Sequence, residues 1–384
     1  MFKKPDKFKG PVIVPCLLLM AISLIVLMFF SSCNAALTGN GSSQNTNKPG
    51  ADNKINGTQT GQENKSGQTG LPKVLAVESF LADITKNIAG SRLEIETLIP
   101  LGLDPHSFEP SPGDVAKIAE SDILIINGSG FEEWLNDIIT GANEKIIIVE
   151  CSKGLKNRIQ DEGGQVNSSE RGAQGQGSNE SGQEVEAVSD SGQETFTENE
   201  TGYRHVGDPH FWLDPNLVMV YVQNIRDALI KSDPQGKDLY NKNAEEYTAK
   251  LIELDAWIAE EVKKIPTDQR LLVTNHESFG YYADRYGFKV IGTIIPNFSS
   301  ASSPSAKEVS GLIEKIKAAN VRAIFLETGS DSKIANQIAT ETGIKIVTEL
   351  FTHSITEPGG PAPTYIEMMK YDTKILVESL VPGS

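Results

Sequence analysis

The sequence predicts an α/β protein made of two (β/α) lobes, each with a four-stranded parallel sheet, joined by one long rigid helix. The first observation behind this prediction is that short apolar runs alternate with helix-like stretches in two sets of four. The second is a segment between the two sets whose apolar residues recur every three or four positions. With 384 residues, of which 39% are hydrophobic, the chain is long enough to bury a large core.

Eight short apolar runs are the predicted strands. They lie at residues 73–78, 94–100, 122–127 and 145–150 in the first lobe, and at 270–275, 289–295, 323–328 and 345–350 in the second. Most of these runs are apolar at consecutive positions, which is typical of parallel strands that helices cover on both faces. The two lobes therefore share one plan, in which crossover helices connect the strands.

The segment between the lobes is predicted to form one helix from about Lys237 to Lys264. Its apolar positions are Tyr240, Ala244, Tyr247, Leu251, Leu254, Ile258, Val262 and Ile265. This spacing places them in one stripe on a helix of about 40 Å, long enough to pack along both lobes. An ordinary surface helix that belongs to a single lobe has the same periodicity and is the alternative interpretation.

These elements divide the ordered chain into three parts, namely an N-terminal lobe at 71–236, a linking helix at 237–265 and a C-terminal lobe at 266–384. Two further stretches contain few apolar residues and are predicted to remain flexible coil. One is a tether at residues 34–70, rich in Gly, Ser, Thr, Asn and Gln. The other is a disordered insertion in the N-terminal lobe at about 160–202, which carries ten acidic residues against a single arginine.

The N-terminus has the pattern of a targeting segment. Its first nine residues contain four lysines, and residues 12–30 form an uncharged apolar run. Small residues then precede Cys33, which resembles the lipobox of bacterial lipoproteins, so residues 1–33 are predicted to be a lipoprotein signal peptide with Cys33 lipidated. An uncleaved membrane anchor is the alternative, because the run approaches the ~20 residues that a span needs. Both interpretations place the body outside the cytoplasmic membrane, and the first predicts a lipid anchor on its outer face.

Charge and motif spacing exclude two classes of function. The formal net charge is −16 and Lys and Arg form no cluster beyond the N-terminus, so nucleic acid is not expected as a partner. A secreted zinc hydrolase needs an open coordination position and a general base. The His-Glu pair at 276–277 would need a second histidine where the chain has Gly280, so we expect no enzyme. A surface adhesin would not need the histidines and is the alternative from the class of interaction proteins.

Four of the five histidines lie where a ligand would bind. His106 and His210 each end an Asp-Pro-His motif, and His276 and His353 follow predicted strands of the second lobe. Ligands of open α/β sheets bind outside the carboxyl ends of the strands. A lone histidine at a strand end is usually only a polar residue, but recurrence at four positions indicates a metal site. Four imidazoles would close the tetrahedral shell of zinc and leave no position for catalysis.

The residues around the two Asp-Pro-His motifs support metal binding. Pro105 and Pro209 fix the backbone before each histidine, while Phe108, Phe211 and Trp212 can shield a pocket from water. Nitrogen ligands favour zinc over manganese, whose harder ion prefers carboxylate and water oxygens. The sequence therefore predicts Zn²⁺ as the ligand, with Mn²⁺ as the second choice.

Five segments between Lys73 and the C-terminus carry a resemblance to a known family. They are LIPLGLDPHSFEPSPGDVAKIAESDILIINGSGFEEWL, DPHFWLDP, NHESFGYYADRYG, IFLET and GGPAPTYIEMMKYDTKIL. Together they are similar to the zinc and manganese solute-binding lipoproteins of bacterial ABC uptake systems. The resemblance implies that one ion is held in the cleft between the lobes and is delivered to a membrane permease. We expect a monomer whose other partners are the metal ion and, through the lipid anchor, the membrane.

The resemblance also implies a ligand set. It places the first three ligands at His106, His210 and His276. The third position is typically His in zinc-type members and Glu in manganese-type members, so Zn²⁺ is the expected cargo and a manganese-binding protein of the same family is the alternative. The fourth ligand is usually an Asp, where this chain has His353. Direct ligation by His353 is the favoured hypothesis, with Glu327 or water as alternatives, and His205 beside the insertion is not assigned to the site.

Overall fold

The computed structural model describes residues 70–141, 145–158 and 207–382. The predicted signal peptide with Cys33, the tether up to residue 69, the insertion at about 160–202 and His205 lie outside the described residues. Within the described ranges, no helix combines the length and the apolar character that crossing a membrane requires.

The first four predicted strands form one parallel sheet. They are β1 (Val74–Ala76), β2 (Ile95–Thr97), β3 (Ile123–Ile126) and β4 (Ile147–Glu150), in the sheet order β2-β1-β3-β4. The helices of this half are α1 (Ser79–Ala89), α2 (Pro112–Glu120), α3 (Leu135–Gly141) and α4 (Pro215–Ser232). Every strand pair is parallel, so all four carboxyl ends lie at one edge of the sheet.

One long helix, α5 (Lys237–Val262), follows α4 after a short turn. Its buried residues are Tyr240, Ala244, Tyr247, Leu251, Leu254, Ile258 and Val262, which confirms the predicted apolar stripe. Ile265, the last position of the predicted stripe, is also buried but lies beyond the end of the helix. The helix contacts α1 and α4 of the first half and two helices of the second half. Both halves therefore share α5, and the alternative of a helix that belongs to one lobe is wrong.

The last four predicted strands form the second parallel sheet. They are β5 (Leu271–His276), β6 (Lys289–Ile295), β7 (Ala323–Glu327) and β8 (Lys345–Leu350), in the order β6-β5-β7-β8. The helices of this half are α6 (Gly280–Tyr286), α7 (Ala306–Ala319), α8 (Lys333–Thr342) and α9 (Tyr365–Leu380). The order repeats that of the first sheet, so the predicted fold class of two α/β halves on one plan is confirmed.

The core of the molecule is continuous between the halves. Val74 and Ala76 of β1 face a large shared cluster that includes the buried stripe of α5 and residues of α9. Leu75 and Val77 point to the opposite face of the first sheet, where a smaller cluster forms. A third cluster covers the matching face of the second sheet. Because the halves share a core, the described residues belong to one compact unit, and the lobe boundaries at 236 and 265 stay predictions.

Candidate metal site

The structure brings the four predicted histidines together between the two sheets. His106 lies in the loop between β2 and α2, and His210 lies in the turn that leads into α4. His276 is the last residue of β5, one position further than the predicted strand, and His353 comes three residues after β8. One ligand atom from each ring lies within 4.8 Å of the other three. The carboxyl ends of the two sheets therefore meet at a cluster of four imidazoles.

The spacing of the ring nitrogens fits a tetrahedral ion. Nε2 of His210 lies 3.3 Å from Nε2 of His106 and 3.2 Å from Nε2 of His276. A zinc–nitrogen bond of ~2.0–2.1 Å places two ligand atoms of a tetrahedron ~3.3–3.4 Å apart. His353 completes the group, and its Nε2 is buried without a hydrogen-bond partner. A buried imidazole nitrogen left without a partner is costly unless a cation binds it.

The two copies of the Asp-Pro-His motif form the same local hydrogen bond. Oδ1 of Asp104 accepts the backbone N–H of His106 at 3.0 Å, and Oδ1 of Asp208 accepts the backbone N–H of His210 at the same distance. The intervening proline has no N–H to donate and its φ is fixed. Each motif is therefore a tight turn that fixes the backbone position of its histidine. The prolines were predicted to stiffen both loops, whereas the role of the aspartates was not predicted, although the motif contains them.

Asp208 also holds the ring of His210. Its Oδ1 lies 2.8 Å from Nδ1 of His210, and its Oδ2 accepts from Nη1 of Arg158 at 3.3 Å. A carboxylate only accepts hydrogen bonds, so it favours the tautomer with a proton on Nδ1 and a lone pair on Nε2. Arg158 directly precedes the undescribed segment, and nothing in the sequence singled it out.

Glu327 lies beside the Nδ1 atoms of the two histidines of the second half, as Asp208 does at His210. Its Oε1 lies 3.1 Å from Nδ1 of His276, its Oε2 lies 3.3 Å from Nδ1 of His353, and Ser278 donates to Oε1 at 2.9 Å. The group of possible ligands within 4.8 Å contains the four histidines and not Glu327. Glu327, proposed from the sequence as a possible fourth ligand, thus contacts the Nδ1 side of the rings.

The charges around Glu327 shift the pKa values of this cluster. Burial opposes ionisation of Glu327, but the adjacent His276 and His353 hold the pKa of its carboxyl at about 2. Burial also lowers the pKa of an imidazole, and at His276 the carboxylate of Glu327 outweighs burial, so that pKa is raised. At His353 burial is the larger effect and the pKa is lowered. The second half therefore contains an ionised carboxylate shared by two imidazoles.

Two aromatic rings pack against the histidines. The ring of Phe131 meets that of His106 edge-on at 4.7 Å, and the ring of Trp212 lies 5.2 Å from that of His210. Trp212 was predicted to shield the pocket, but Phe131 was not. The other two predicted shielding rings pack elsewhere, since Phe108 meets Trp134 and Phe211 stacks on Tyr281.

The four histidines differ in their exposure to solvent. His210 and His276 are fully buried and His353 is 8% exposed, whereas His106 is partly exposed. His106 is therefore the most accessible of the four imidazoles.

Hydrogen bonds tie the two halves together around the cluster. Trp212 Nε1 donates to the carbonyl of Thr352 at 2.7 Å, and the backbone N–H of Gly102 donates to Ser354 Oγ at 2.9 Å. Ser300 donates to Asp104, so the first motif is also held by the second half. The relative placement of His106, His210, His276 and His353 thus depends on contacts between the halves.

Comparison with known proteins places most of the chain in one family. The family model described as "ZnuA: Zinc-uptake complex component A periplasmic" matches residues 74–379. The "Manganese-binding lipoprotein MntA" of Halalkalibacterium halodurans is 30% identical over 308 residues, which cover 80% of this chain and 88% of that protein. The "Manganese ABC transporter substrate-binding lipoprotein PsaA" of Streptococcus anginosus is 33% identical over 312 residues, which cover 80% and 89%.

The fold also occurs among solved structures. The periplasmic zinc-binding protein TroA from Treponema pallidum matches with a TM-score of 0.65 and 23% sequence identity, over 81% of this chain and 100% of that chain. At this identity the likeness concerns the fold, and it agrees with two four-stranded parallel sheets flanked by helices.

Proposed function

The chain belongs to the ZnuA family of zinc-uptake components, and from this membership we propose that it binds Zn²⁺ outside the cytoplasm and delivers it to the membrane permease of an ABC importer. Members of this family are substrate-binding transport proteins, so the chain is not an enzyme. Its relatives are named as lipoproteins of metal transporters, which supports the proposed lipid anchor at Cys33 and a location on the outer face of the membrane. We further propose that the chain acts as a monomer.

The observation that carries the proposal is the cluster of four imidazoles. We propose that His106, His210, His276 and His353 ligate one Zn²⁺ through Nε2. The spacing of 3.2 and 3.3 Å between neighbouring Nε2 atoms supports this assignment, because it suits a tetrahedral zinc shell. A shell closed by four protein ligands leaves no coordination position for water or substrate, which suits capture and release of the ion as cargo.

Manganese is the second candidate, because the two relatives above are named for manganese. The donor set of this chain favours zinc instead. Manganese prefers carboxylate and water oxygens, whereas the described residues that converge here offer four nitrogens. The carboxylates of Asp208 and Glu327 contact the rings at Nδ1, whereas the proposed ligand atoms are the Nε2 atoms.

Competition between the two metals tests the proposal. The purified full chain, freed of metal and dialysed against equal concentrations of Zn²⁺ and Mn²⁺, should retain one zinc per chain and almost no manganese by elemental analysis. The matched control is the variant His106→Ala, which should lose zinc while keeping its helical content. Equal loading with both ions would contradict the zinc assignment, and no loading with either would contradict metal transport.

A further inference from the structure

Four neutral imidazoles give a bound divalent cation no negative charge. His210 and His276 are fully buried, and an ion among them would have little water to stabilise its charge. Burying an uncompensated charge is strongly unfavourable. The acidic residues that contact the Nδ1 atoms of the histidines are therefore expected to determine the affinity of the site for a cation.

The carboxylates of Asp208 and Glu327 lie against Nδ1 atoms of the rings, and they differ in their partners. Asp208 is paired with Arg158 at 3.3 Å, so its charge is balanced by an arginine. Glu327 is paired with His276 and His353, and among the described residues no lysine or arginine lies within 4 Å of it. Of these two carboxylates, Glu327 is thus the one whose negative charge no described lysine or arginine balances.

Glu327 also lies beside the Nδ1 atoms of both rings, so it bears on which ring nitrogens carry protons. Nδ1 of His353 lies 3.0 Å from the hydroxyl of Thr352, which can donate or accept and so permits either tautomer. The carboxylate of Glu327 accepts only, and it contacts Nδ1 of His353 and of His276 with its two oxygens. Protons are therefore expected on both Nδ1 atoms, with the Nε2 lone pairs directed at the ion.

From these contacts we propose that Glu327 is a positioning residue for His276 and His353. It fixes the tautomers of both rings, so that each directs its Nε2 lone pair at the same zinc ion, and it supplies the negative charge that the four imidazoles lack. This inference rests on the proposed function, since it takes Zn²⁺ as the ion. It explains how a site without a carboxylate ligand holds a divalent cation.

The test compares Glu327→Gln with a buried control in the same half. Glutamine keeps the size of the side chain, removes its charge and adds an N–H donor that can reverse an imidazole tautomer. Asp372→Asn is the control, because Asp372 is 3% exposed and burial raises its pKa to about 8, so it carries little charge at pH 7. Zinc affinity of the full chains is measured by competition with a chelator at pH 7. Glu327→Gln should bind zinc about 10- to 100-fold more weakly than wild type, and Asp372→Asn should match wild type.

A second readout does not depend on zinc. In ¹⁵N-labelled zinc-free wild type, NMR should detect the Nδ1–H tautomer for His276 and His353, and Glu327→Gln should lose it for at least one ring. Wild-type affinity in Glu327→Gln, or Nε2–H on both rings of the wild type, would overturn the inference. If Glu327→Gln does not fold, the wild-type tautomers and the zinc affinity of Glu327→Asp test the inference. The shorter side chain of aspartate should not reach both rings and should therefore weaken zinc binding. A wild type that binds no zinc would instead overturn the proposed function.

Discussion

Nε2 of His276 lies 3.2 Å from Nε2 of His210, although the two residues are 66 positions apart and belong to opposite halves of the molecule. One ring stands at the end of β5 and the other in the turn before α4. Glu327 and Asp208 lie beside the two Nδ1 atoms, and with a proton on each Nδ1 the two Nε2 lone pairs would face each other. Such a contact is repulsive unless a proton or a cation lies between the rings, and this is the physical basis of the metal assignment.

The fourth ligand can be tested by changing its chemistry. His353→Ala should weaken zinc binding by more than the ~10–100-fold that loss of an outer-shell partner causes. His353→Asp should restore zinc binding in part and increase manganese loading, because it adds an oxygen ligand. Elemental analysis after competition dialysis measures both effects. Unchanged zinc affinity in His353→Ala would remove His353 from the ligand set.

Zinc affinity should fall as the pH decreases. Zinc binds the deprotonated imidazole, so each bound proton must leave first. The pKa of His276 is raised by Glu327 above the ordinary value of ~6.5, so competition from protons should begin near neutral pH. We expect a loss of roughly tenfold per pH unit for each protonated imidazole below that point. Titration calorimetry between pH 5 and pH 8 measures the slope, and a flat profile would contradict imidazole ligation.

The packing of α5 predicts a contrast between neighbouring residues. Leu251 is fully buried in the shared core, and Ile252, the next residue, is 54% exposed. Leu251→Ala should lower the free energy of unfolding by about 2–5 kcal/mol, and Ile252→Ala should change it by no more than about 0.5 kcal/mol. Urea denaturation of the zinc-free chain measures both values. Equal effects of the two substitutions would show that α5 is not packed as described.

Asp372 should make the stability of the zinc-free chain depend on pH. Burial raises the pKa of its carboxyl to about 8, whereas the unfolded chain releases this proton near the ordinary value of ~3.9. The native state therefore holds more protons between about pH 4 and pH 8, and stability should fall as the pH rises through this range. Asp372→Asn cannot ionise and should flatten that part of the profile, as measured by urea midpoints. A slope identical to that of wild type would refute the contribution of Asp372.

The strands, α5 and the histidines were predictable because each depends on a local pattern. Consecutive apolar residues identified the strands, and the spacing from Tyr240 to Val262 identified the helix. His106, His210, His276 and His353 were recognisable from their places at the ends of predicted strands and in a repeated motif. The rules that relate strand ends to ligand sites apply to any parallel sheet.

The roles of the supporting residues were not predictable, because they depend on contacts between distant segments. Glu327 ends a strand, and only the meeting of β5, β7 and the loop after β8 places it against two imidazoles. Phe131 and Arg158 lie in segments without a distinctive pattern. The two aspartates of the Asp-Pro-His motifs were visible in the sequence, but the hydrogen bonds that explain them appear only when the turns are formed.

Anomalous diffraction at the zinc edge, from crystals of the zinc-loaded chain, would show directly which atoms ligate the ion. We expect a single peak about 2.0–2.1 Å from Nε2 of each of the four histidines, with the carboxylate of Glu327 outside the coordination shell. A peak elsewhere, or a shell completed by a carboxylate in place of an imidazole, would show that the four histidines do not form the zinc site.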